Sequence, residues 1–160
     1  MILIHHDEGL VIRRLDDGAV LSRHPFGPSG VGGVAVDDAG TQVAYVDRAN
    51  TLHRLDVSSG EDVAWAHTPD QPSALGWLGS ERLAVVYGNG QARVWSAEGV
   101  LLAEWKAHPA RASVLAVESP TLFWTVGRDN RLRRWDIDTL GVPARVLRDA
   151  RIERLGIGVE

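Results

Sequence analysis

The chain has 160 residues, no cysteine, and 17 basic against 21 acidic side chains, giving a formal charge of −4. The length predicts one domain with a substantial core, and 44% hydrophobic with 24% charged residues is typical of a globular protein. The lack of cysteine excludes a disulfide framework and thiolate metal sites. The acidic total argues against a nucleic-acid partner.

The amino-terminal segment does not read as a targeting signal. Met1 to Ile4 is followed by His5-His6-Asp7-Glu8, whereas a signal peptide needs a basic flank and a longer apolar run. No stretch approaches the roughly 18 apolar residues of a membrane span. We therefore expect a cytoplasmic protein with no membrane association.

A repeat of 40 residues is the most informative feature of the sequence. One column of this repeat holds the apolar anchors Leu15, Leu55, Trp95 and Trp135. A second apolar block recurs at the same interval, as in 83–86 and 123–126. Clusters of Gly, Asn and Asp separate the two blocks, and these residues tolerate the positive φ of tight turns. Each repeat therefore contains hairpins of short strands.

Every repeat predicts four antiparallel strands, and no segment of ten or more residues shows helical periodicity. The strands are expected at 73–78, 82–87, 91–96 and 100–105 in the third repeat, and at 113–117, 122–126, 131–137 and 144–147 in the fourth. Four such strands make one blade of a β-propeller. The predicted fold is all-β, a β-propeller of four four-stranded blades in a single domain, with a β-sandwich as the alternative. The blades are expected at 1–28 plus 151–160, 29–70, 71–110 and 111–150.

The two ends of the chain are predicted to complete one blade together. Ile2, Leu3 and Ile4 align with the second strands of the other repeats, so the first repeat lacks its first strand. Leu155 and Ile157 align with the missing strand. Closure by the C-terminal strand would cover an edge that otherwise invites aggregation.

The fourth repeat resembles a named family. Its ending, Asp129-Asn130-Arg131-Leu132-Arg133-Arg134-Trp135-Asp136, resembles that of a WD repeat, with a turn aspartate six positions before the tryptophan and a closing Trp-Asp pair. His108 lies where the family places the histidine of its Gly-His dipeptide, although Ala107 replaces the glycine. The resemblance implies that His108, Thr125, Asp129 and Trp135 form the family's structural hydrogen-bond tetrad.

The other repeats depart from the WD pattern. The third keeps Trp95 but has Asn89 at the turn, with His67 as its candidate histidine. The second and first repeats have Leu55-Asp56 and Leu15-Asp16 in place of Trp-Asp. The full signature is present in the fourth repeat alone.

The resemblance also implies a partner-binding face, built from the hairpins between second and third strands and from the connections between blades. The residues expected on this face are Glu8, Arg48, Asp70, His108, Arg111 and Arg128. Arg111 and Arg128 are the strongest candidates because arginine supplies planar, multi-donor contacts at interfaces. We expect a protein or peptide partner, no catalytic residue, no metal and no cofactor.

WD-type blades usually form rings of six to eight, so the resemblance favours two chains assembling into an eight-bladed homodimer. A four-bladed monomer and a half ring completed by another chain remain open. So do an enzyme or ligand-binding propeller that uses the central channel, and a fragment with a purely structural role. The predicted first strands, such as 34–36 and 74–76, are small and apolar, which disfavours channel chemistry.

Several other patterns have ordinary structural explanations. His5 and His6 are adjacent in a strand, point to opposite faces and cannot chelate one ion. Asp37-Asp38 and Asp16-Asp17 sit beside glycine in predicted turns, where aspartate accepts backbone hydrogen bonds. The glycine-rich run 30–33 lacks the helix and lysine of a phosphate-binding loop.

A column of arginines precedes the anchor column, and it contains Arg14, Arg54 and Arg134. Their aliphatic stems are expected to pack along the neighbouring blade while the guanidinium groups meet carboxylates or the solvent. The alternative is a basic ring that contacts an acidic partner.

Overall fold

The computed structural model describes residues 2–5, 10–24, 31–68, 70–139 and 143–147. Within these ranges the regular structure is β-strand, apart from one 3₁₀ turn over Ile137–Thr139. No helix in the described ranges is long and apolar enough to cross a membrane. The prediction of an all-β protein is confirmed, whereas closure into a propeller ring stays a prediction.

The strands form four antiparallel sheets that follow one another along the chain. The first sheet contains β1 (Ile2–His5), β2 (Leu10–Arg14) and β3 (Val20–His24). The second contains β4 (Val31–Val36), β5 (Gln42–Asp47), β6 (Thr51–Asp56) and β7 (Asp62–His67). The third contains β8 (Pro72–Leu78), β9 (Arg82–Tyr87), β10 (Gln91–Ser96) and β11 (Leu101–Lys106). The fourth contains β12 (Ala112–Ser119), β13 (Leu122–Gly127), β14 (Leu132–Asp136) and β15 (Pro143–Leu147).

Each sheet is a meander, because its strands are hydrogen bonded in chain order. The predicted fourth member of the first sheet, which includes Leu155 and Ile157, lies outside the described residues. Ile2, Leu3 and Ile4 form β1 and pair with β2, as their alignment with second strands predicts. In the third and fourth sheets the observed ends lie within two residues of the predicted ones. Ile137 leaves its predicted strand because it begins the 3₁₀ turn.

The turns between the second and third strands repeat the same backbone conformation. Asn50, Gly90 and Asn130 all have positive φ, at 61°, 86° and 56°. These residues are spaced by 40 positions, and Asn and Gly are the types that adopt this conformation at least cost. The repeat seen in the sequence is therefore also a repeat of hairpin geometry.

Consecutive sheets pack face to face, and each joint has its own apolar core. Side chains alternate along a strand, so one sheet can contribute to two joints. The joint between the first and second sheets buries Leu10, Ile12, Val43, Tyr45 and Leu55. The joint between the second and third buries Ala44, Val46, Leu52, Trp77, Leu83, Val85, Tyr87 and Trp95. The joint between the third and fourth buries Leu78, Ala84, Val86, Ala92, Val94, Phe123, Trp135 and Ile137.

The first strands β4, β8 and β12 lie next to one another along the stack. Gly76 permits the close approach of β8 and β12. A Cβ atom at this position would lie 2.7 Å from Leu115 Cδ2 and 2.9 Å from Val117 Cγ2, well inside ordinary contact distance. The small residues of these strands thus serve packing between sheets.

The two ends of the stack expose side chains whose counterparts are buried at the joints. Leu15 is 45% exposed, whereas Leu55 in the same column is 0% exposed. On the outward face of the fourth sheet Val114 is 49% exposed, and its strand neighbour Val126 is half-buried. Val86, the counterpart of Val126, is 0% exposed. Within the described residues, the stack therefore ends in two apolar faces of the kind that its joints bury.

Truncating a residue buried at a joint should lower the free energy of unfolding far more than truncating an apolar residue on an outer strand. Phe123 is fully buried between the third and fourth sheets, so Phe123→Ala should lower the free energy of unfolding by about 3–5 kcal/mol. Leu101 on β11 is 43% exposed, and Leu101→Ala should lower the free energy of unfolding by about 1 kcal/mol or less. Chemical denaturation measures both, and equal losses would contradict the placement of this core.

Candidate functional site

One edge of the stack is built from three hairpin turns and two connections between sheets. We call this edge the rim, and it comprises 47–50, 68, 70–71, 87–90, 107–111 and 127–130. Four backbone hydrogen bonds join its loops: Thr68 N to Asn50 O at 2.9 Å, Gly88 N to Gln71 O at 3.0 Å, His108 N to Gly90 O at 3.0 Å, and Arg128 N to Arg111 O at 2.8 Å. Each connection is thereby bound at one end to the sheet it leaves and at the other to the sheet it enters.

The structure brings His108, Thr125, Asp129 and Trp135 into one hydrogen-bonded group below the rim. His108 Nδ1 lies 2.9 Å from Asp129 Oδ1, and His108 Nε2 lies 2.8 Å from Thr125 Oγ1. Trp135 Nε1 donates to the same Thr125 oxygen at 2.8 Å. The side chain of His108 is 1% exposed, so the imidazole is enclosed by its partners.

The bonds to Trp135 and Asp129 favour one direction for this hydrogen-bond chain. The indole of Trp135 is only a donor, so the Thr125 oxygen accepts its proton and the hydroxyl hydrogen can point to His108 Nε2. The neutral imidazole then carries its proton on Nδ1 and donates it to Asp129. The opposite tautomer would place two acceptors against each other at Asp129.

Arg133 is a fifth member of this group, and the sequence interpretation did not include it. Its side chain is largely buried, and Nη1 lies 2.6 Å from Asp129 Oδ2 and in close contact with His108 Nδ1. Burial lowers the pKa of His108, and the charge of Arg133 lowers it further, against the opposing effect of Asp129. Burial alone would raise the pKa of Asp129, but hydrogen bonds from Arg133 and His108 outweigh it and leave that pKa lowered.

Gly127 makes room for the imidazole. A Cβ atom at position 127 would overlap the His108 ring at Nδ1 and lie 2.7 Å from Asp129 Oδ1. Any larger residue would have to displace the central hydrogen bond of the group. The glycine is therefore required by close approach at this position.

The third sheet has a different arrangement at the matching positions. Thr68, one residue beyond His67, occupies the place of His108, and its hydroxyl oxygen lies 3.0 Å from each of two acceptors, Asn50 O and Asp70 O. His67 is exposed at the end of β7, so the interpretation of His67 as the histidine of this repeat is wrong by one position. Val85 stands in the place of Thr125, so this position offers no hydroxyl group to accept a hydrogen bond from Trp95 Nε1.

A basic residue occurs at the place of Arg133 in every repeat. This column contains Arg13, His53, Arg93 and Arg133. Arg93 pairs with Glu104 at 2.6 Å and Asp70 at 3.3 Å, and its guanidinium carbon lies 4.5 Å from the centre of the Tyr87 ring. Three of the four residues in the column are arginines, and the 40-residue period was the signal that would have found the column.

In the second sheet the same column gives a compact polar cluster. His53 lies 3.3 Å from Asp62 Oδ1 through Nδ1 and 3.4 Å from Asp47 Oδ2 through Nε2. Its ring stacks on Tyr45 with 4.6 Å between centres, and the Tyr45 hydroxyl donates to Asp62. Burial and this contact with Asp62 raise the pKa of Tyr45. The cluster holds the hairpin turn of the second sheet against β7.

The structure places the six residues predicted for a partner-binding face differently. Arg48, Arg111 and Arg128 are exposed on the rim. Asp70 is half-buried and engaged with Arg93. The remaining two predicted residues are His108 and Glu8. His108 was predicted for both the face and the tetrad, and its buried side chain is not on an exposed surface. Glu8 lies outside the described residues.

The arginines that precede the anchors are engaged inside the chain. Arg14 pairs with Asp17 at 2.9 Å, and Arg134 makes a two-pronged contact with Glu118 at 2.7 and 2.6 Å. Arg54 donates to the carbonyl oxygen of Ala97 in the next sheet at 3.1 Å. These contacts favour the interpretation in which the arginines of this column meet groups of the same chain over the interpretation in which they form a basic ring for an acidic partner.

The edge opposite the rim carries the acidic turn that the sequence singled out. The carboxylate of Asp37 accepts bonds from Thr41 N, Gln42 N and the hydroxyl of Ser80 in the third sheet, at 2.7, 2.9 and 2.8 Å. Burial alone would raise the pKa of Asp37, but these hydrogen bonds outweigh it and leave that pKa lowered. Asp37 thus acts as a turn residue and a link between sheets.

Two hollows lie on this opposite edge, between the third and fourth sheets. One has a volume of about 360 Å³ and is bordered by Arg82, Val94 and Asp138 among others. The second, of about 450 Å³, is bordered by Ser80, Glu81 and Thr121 among others. Among the described residues no three His, Asp or Glu side chains are grouped as metal ligands would be.

No family model matches the chain, and no curated protein matches its sequence.

Gly127→Ala should destabilise the protein, because the added methyl group must displace His108 from Asp129. We expect a loss of about 1–3 kcal/mol in the free energy of unfolding, as for an overpacked core. Gly88→Ala is the matched control in the neighbouring hairpin, where the nearest atom would be 3.7 Å away. Denaturant titration of both variants tests this, and a loss at Gly88 as large as at Gly127 would contradict it.

The buried imidazole should also make stability depend on pH. Because the pKa of His108 is lowered in the folded state, the unfolded chain binds a proton first as pH falls below about 6.5, and the folded state is destabilised down to the folded pKa. Unfolding free energies at about pH 7 and about pH 5 should therefore differ more in the wild type than in His108→Gln. An identical pH dependence in the two proteins would count against a neutral His108.

Proposed function

We propose that this chain is a non-catalytic protein-interaction scaffold of WD-repeat type, with its sheets acting as propeller blades and its rim as the binding face. The observation that carries the proposal is the rim itself. It places exposed arginines on loops whose backbone is tied down on both sides. Binding residues on loops held by a rigid frame are the usual arrangement in recognition proteins.

The hydrogen-bonded group around His108 supports this function as a structural element. His108 belongs to the connection between the third and fourth sheets, and Asp129 belongs to the hairpin beside it. Their bond fixes two rim loops relative to each other from below. Hydrogen bonds between buried side chains restrain the segments that they join, so Arg111 and Arg128 are presented on an ordered surface.

We further propose that two copies assemble through the end faces of the stack. Leu15 and Val114 are exposed at positions where the joints inside the chain are apolar. In an eight-bladed homodimer the face of the first sheet would pack against the fourth sheet of the partner. Leu155 and Ile157 of one copy would then extend the sheet that contains Ile2, Leu3 and Ile4 of the other. A closed two-fold assembly covers both faces at once.

The mass in solution tests the assembly. The chain has a mass of 17.4 kDa, and light scattering should give twice this value. Leu15→Glu, which puts a charge on the end face, should shift the mass towards the monomer. Leu101→Glu makes the same change on the exposed outer strand β11 and should leave the dimer intact. A wild-type mass of one chain would overturn the dimer.

A pull-down tests the binding face. Partners recovered with the wild type from a lysate of the source cells should be lost with the double variant Arg111→Ala/Arg128→Ala. The matched control is Arg14→Ala/Arg82→Ala, which removes two arginines from the opposite edge. Circular dichroism checks that each variant is folded. Equal recovery with both variants would move the binding site away from the rim.

A further inference from the structure

Among the described residues, positive charge is concentrated where the rim borders the fourth sheet and at the adjoining position 131. Arg111, Arg128 and Arg131 are exposed, and within the described residues none of them forms an ion pair. They lie on two loops that are bonded to each other through Arg128 N and Arg111 O at 2.8 Å. We call these three residues the arginine cluster.

The backbone places the three arginines close together. The backbones of Arg111 and Arg128 are in direct contact, because Arg128 N donates to Arg111 O. Arg131 closes the same hairpin, because its carbonyl oxygen accepts a bond from Gly127 N at 3.3 Å. The three arginines therefore lie on neighbouring segments at this end of the stack.

The acidic residue on the loops of the cluster is already engaged elsewhere. Asp129 is the one carboxylate within 107–111 and 127–131. Both of its oxygens are already engaged, Oδ1 with His108 at 2.9 Å and Oδ2 with Arg133 at 2.6 Å. Counting Arg133 with the cluster gives four guanidinium groups against one carboxylate, a local charge of +3 on a chain whose total is −4.

The rest of the rim carries acidic residues alongside its cations. In the second sheet Arg48 follows Asp47, and Asp70 and Glu104 pair with Arg93 at 3.3 and 2.6 Å. The hairpin 87–90 carries no charged side chain. Like charges held side by side on neighbouring segments are unfavourable for folding, so the cluster has no stabilising role in the chain as described.

We infer that the arginine cluster binds an extended acidic peptide segment of the partner. This inference rests on the proposed function, since it names the chemistry recognised by the rim. Guanidinium groups match carboxylates through paired hydrogen bonds. Alternate side chains on an extended segment lie on one side about 6.6–6.8 Å apart, a spacing that neighbouring arginines on two loops can meet.

The size of the cluster favours a short peptide over a nucleic acid. A nucleic acid is held by an extended basic surface that contacts many phosphates. Here three exposed arginines lie on a protein of net negative charge. A segment with two or three acidic residues is enough to satisfy them.

The experiment uses the full chain and a fluorescein-labelled peptide of four Glu-Ser repeats. Fluorescence anisotropy should show binding that weakens as salt is raised. The same peptide with glutamine in place of glutamate should not bind. A peptide of four phosphoserine-glycine repeats and an eight-residue oligothymidylate serve as the other anionic probes.

Charge reversal locates the site. Arg111→Glu/Arg128→Glu should weaken binding of the Glu-Ser peptide about tenfold or more, because like charges then face each other. Arg131→Glu should weaken it independently. Arg48→Glu makes the same change at a rim arginine of the second sheet and should alter affinity by less than about twofold. Circular dichroism of each variant shows that these exposed substitutions leave the fold intact.

The outcomes separate this inference from the proposed function. No binding of the Glu-Ser peptide overturns the inference, as does binding of the phosphate probes alone. The inference is also overturned if Arg48→Glu weakens peptide binding as much as Arg111→Glu/Arg128→Glu does. The peptide would then be attracted by positive charge anywhere on the rim and not by the arginine cluster. In each of these cases the pull-down result still decides on its own whether the rim binds a partner.

Discussion

Burial of both faces of a sheet is the constraint on which this structure depends. In the second and third sheets, side chains from both sides of the same strands enter two separate cores. Such a sheet cannot be stable in water alone, because one apolar face would always be exposed. Each sheet therefore requires a neighbour, and the stack, the joints and the shared rim follow from that requirement.

The sequence predicted much of this architecture, for identifiable physical reasons. Strand ends in the third and fourth sheets were accurate because turn residues such as Gly90 and Asn130 mark backbone conformations that few residues adopt. The four residues of the hydrogen-bonded group in the fourth sheet were named from a resemblance. Their observed distances show how an indole, a hydroxyl, an imidazole and a carboxylate satisfy one another.

What the sequence did not predict depends on side chains that can serve two roles. An arginine in a strand can lie at the surface or reach a buried carboxylate, and the residue type alone does not show which of the two it does. The interpretation therefore singled out Arg14, Arg54 and Arg134 and passed over Arg133, although both columns recur every 40 residues. His67 was preferred to Thr68 by residue type, whereas the backbone register places Thr68 at the corresponding position.

The four hydrogen bonds that join the loops of the rim are made by backbone atoms alone. Their geometry therefore does not depend on which side chains the bonded residues carry, provided that the turns keep their shape. Exposed residues such as Arg48 and Arg128 are free to change while the loops stay in place. A rim of this kind can acquire a new binding specificity by surface substitutions, without any change in the framework that supports it.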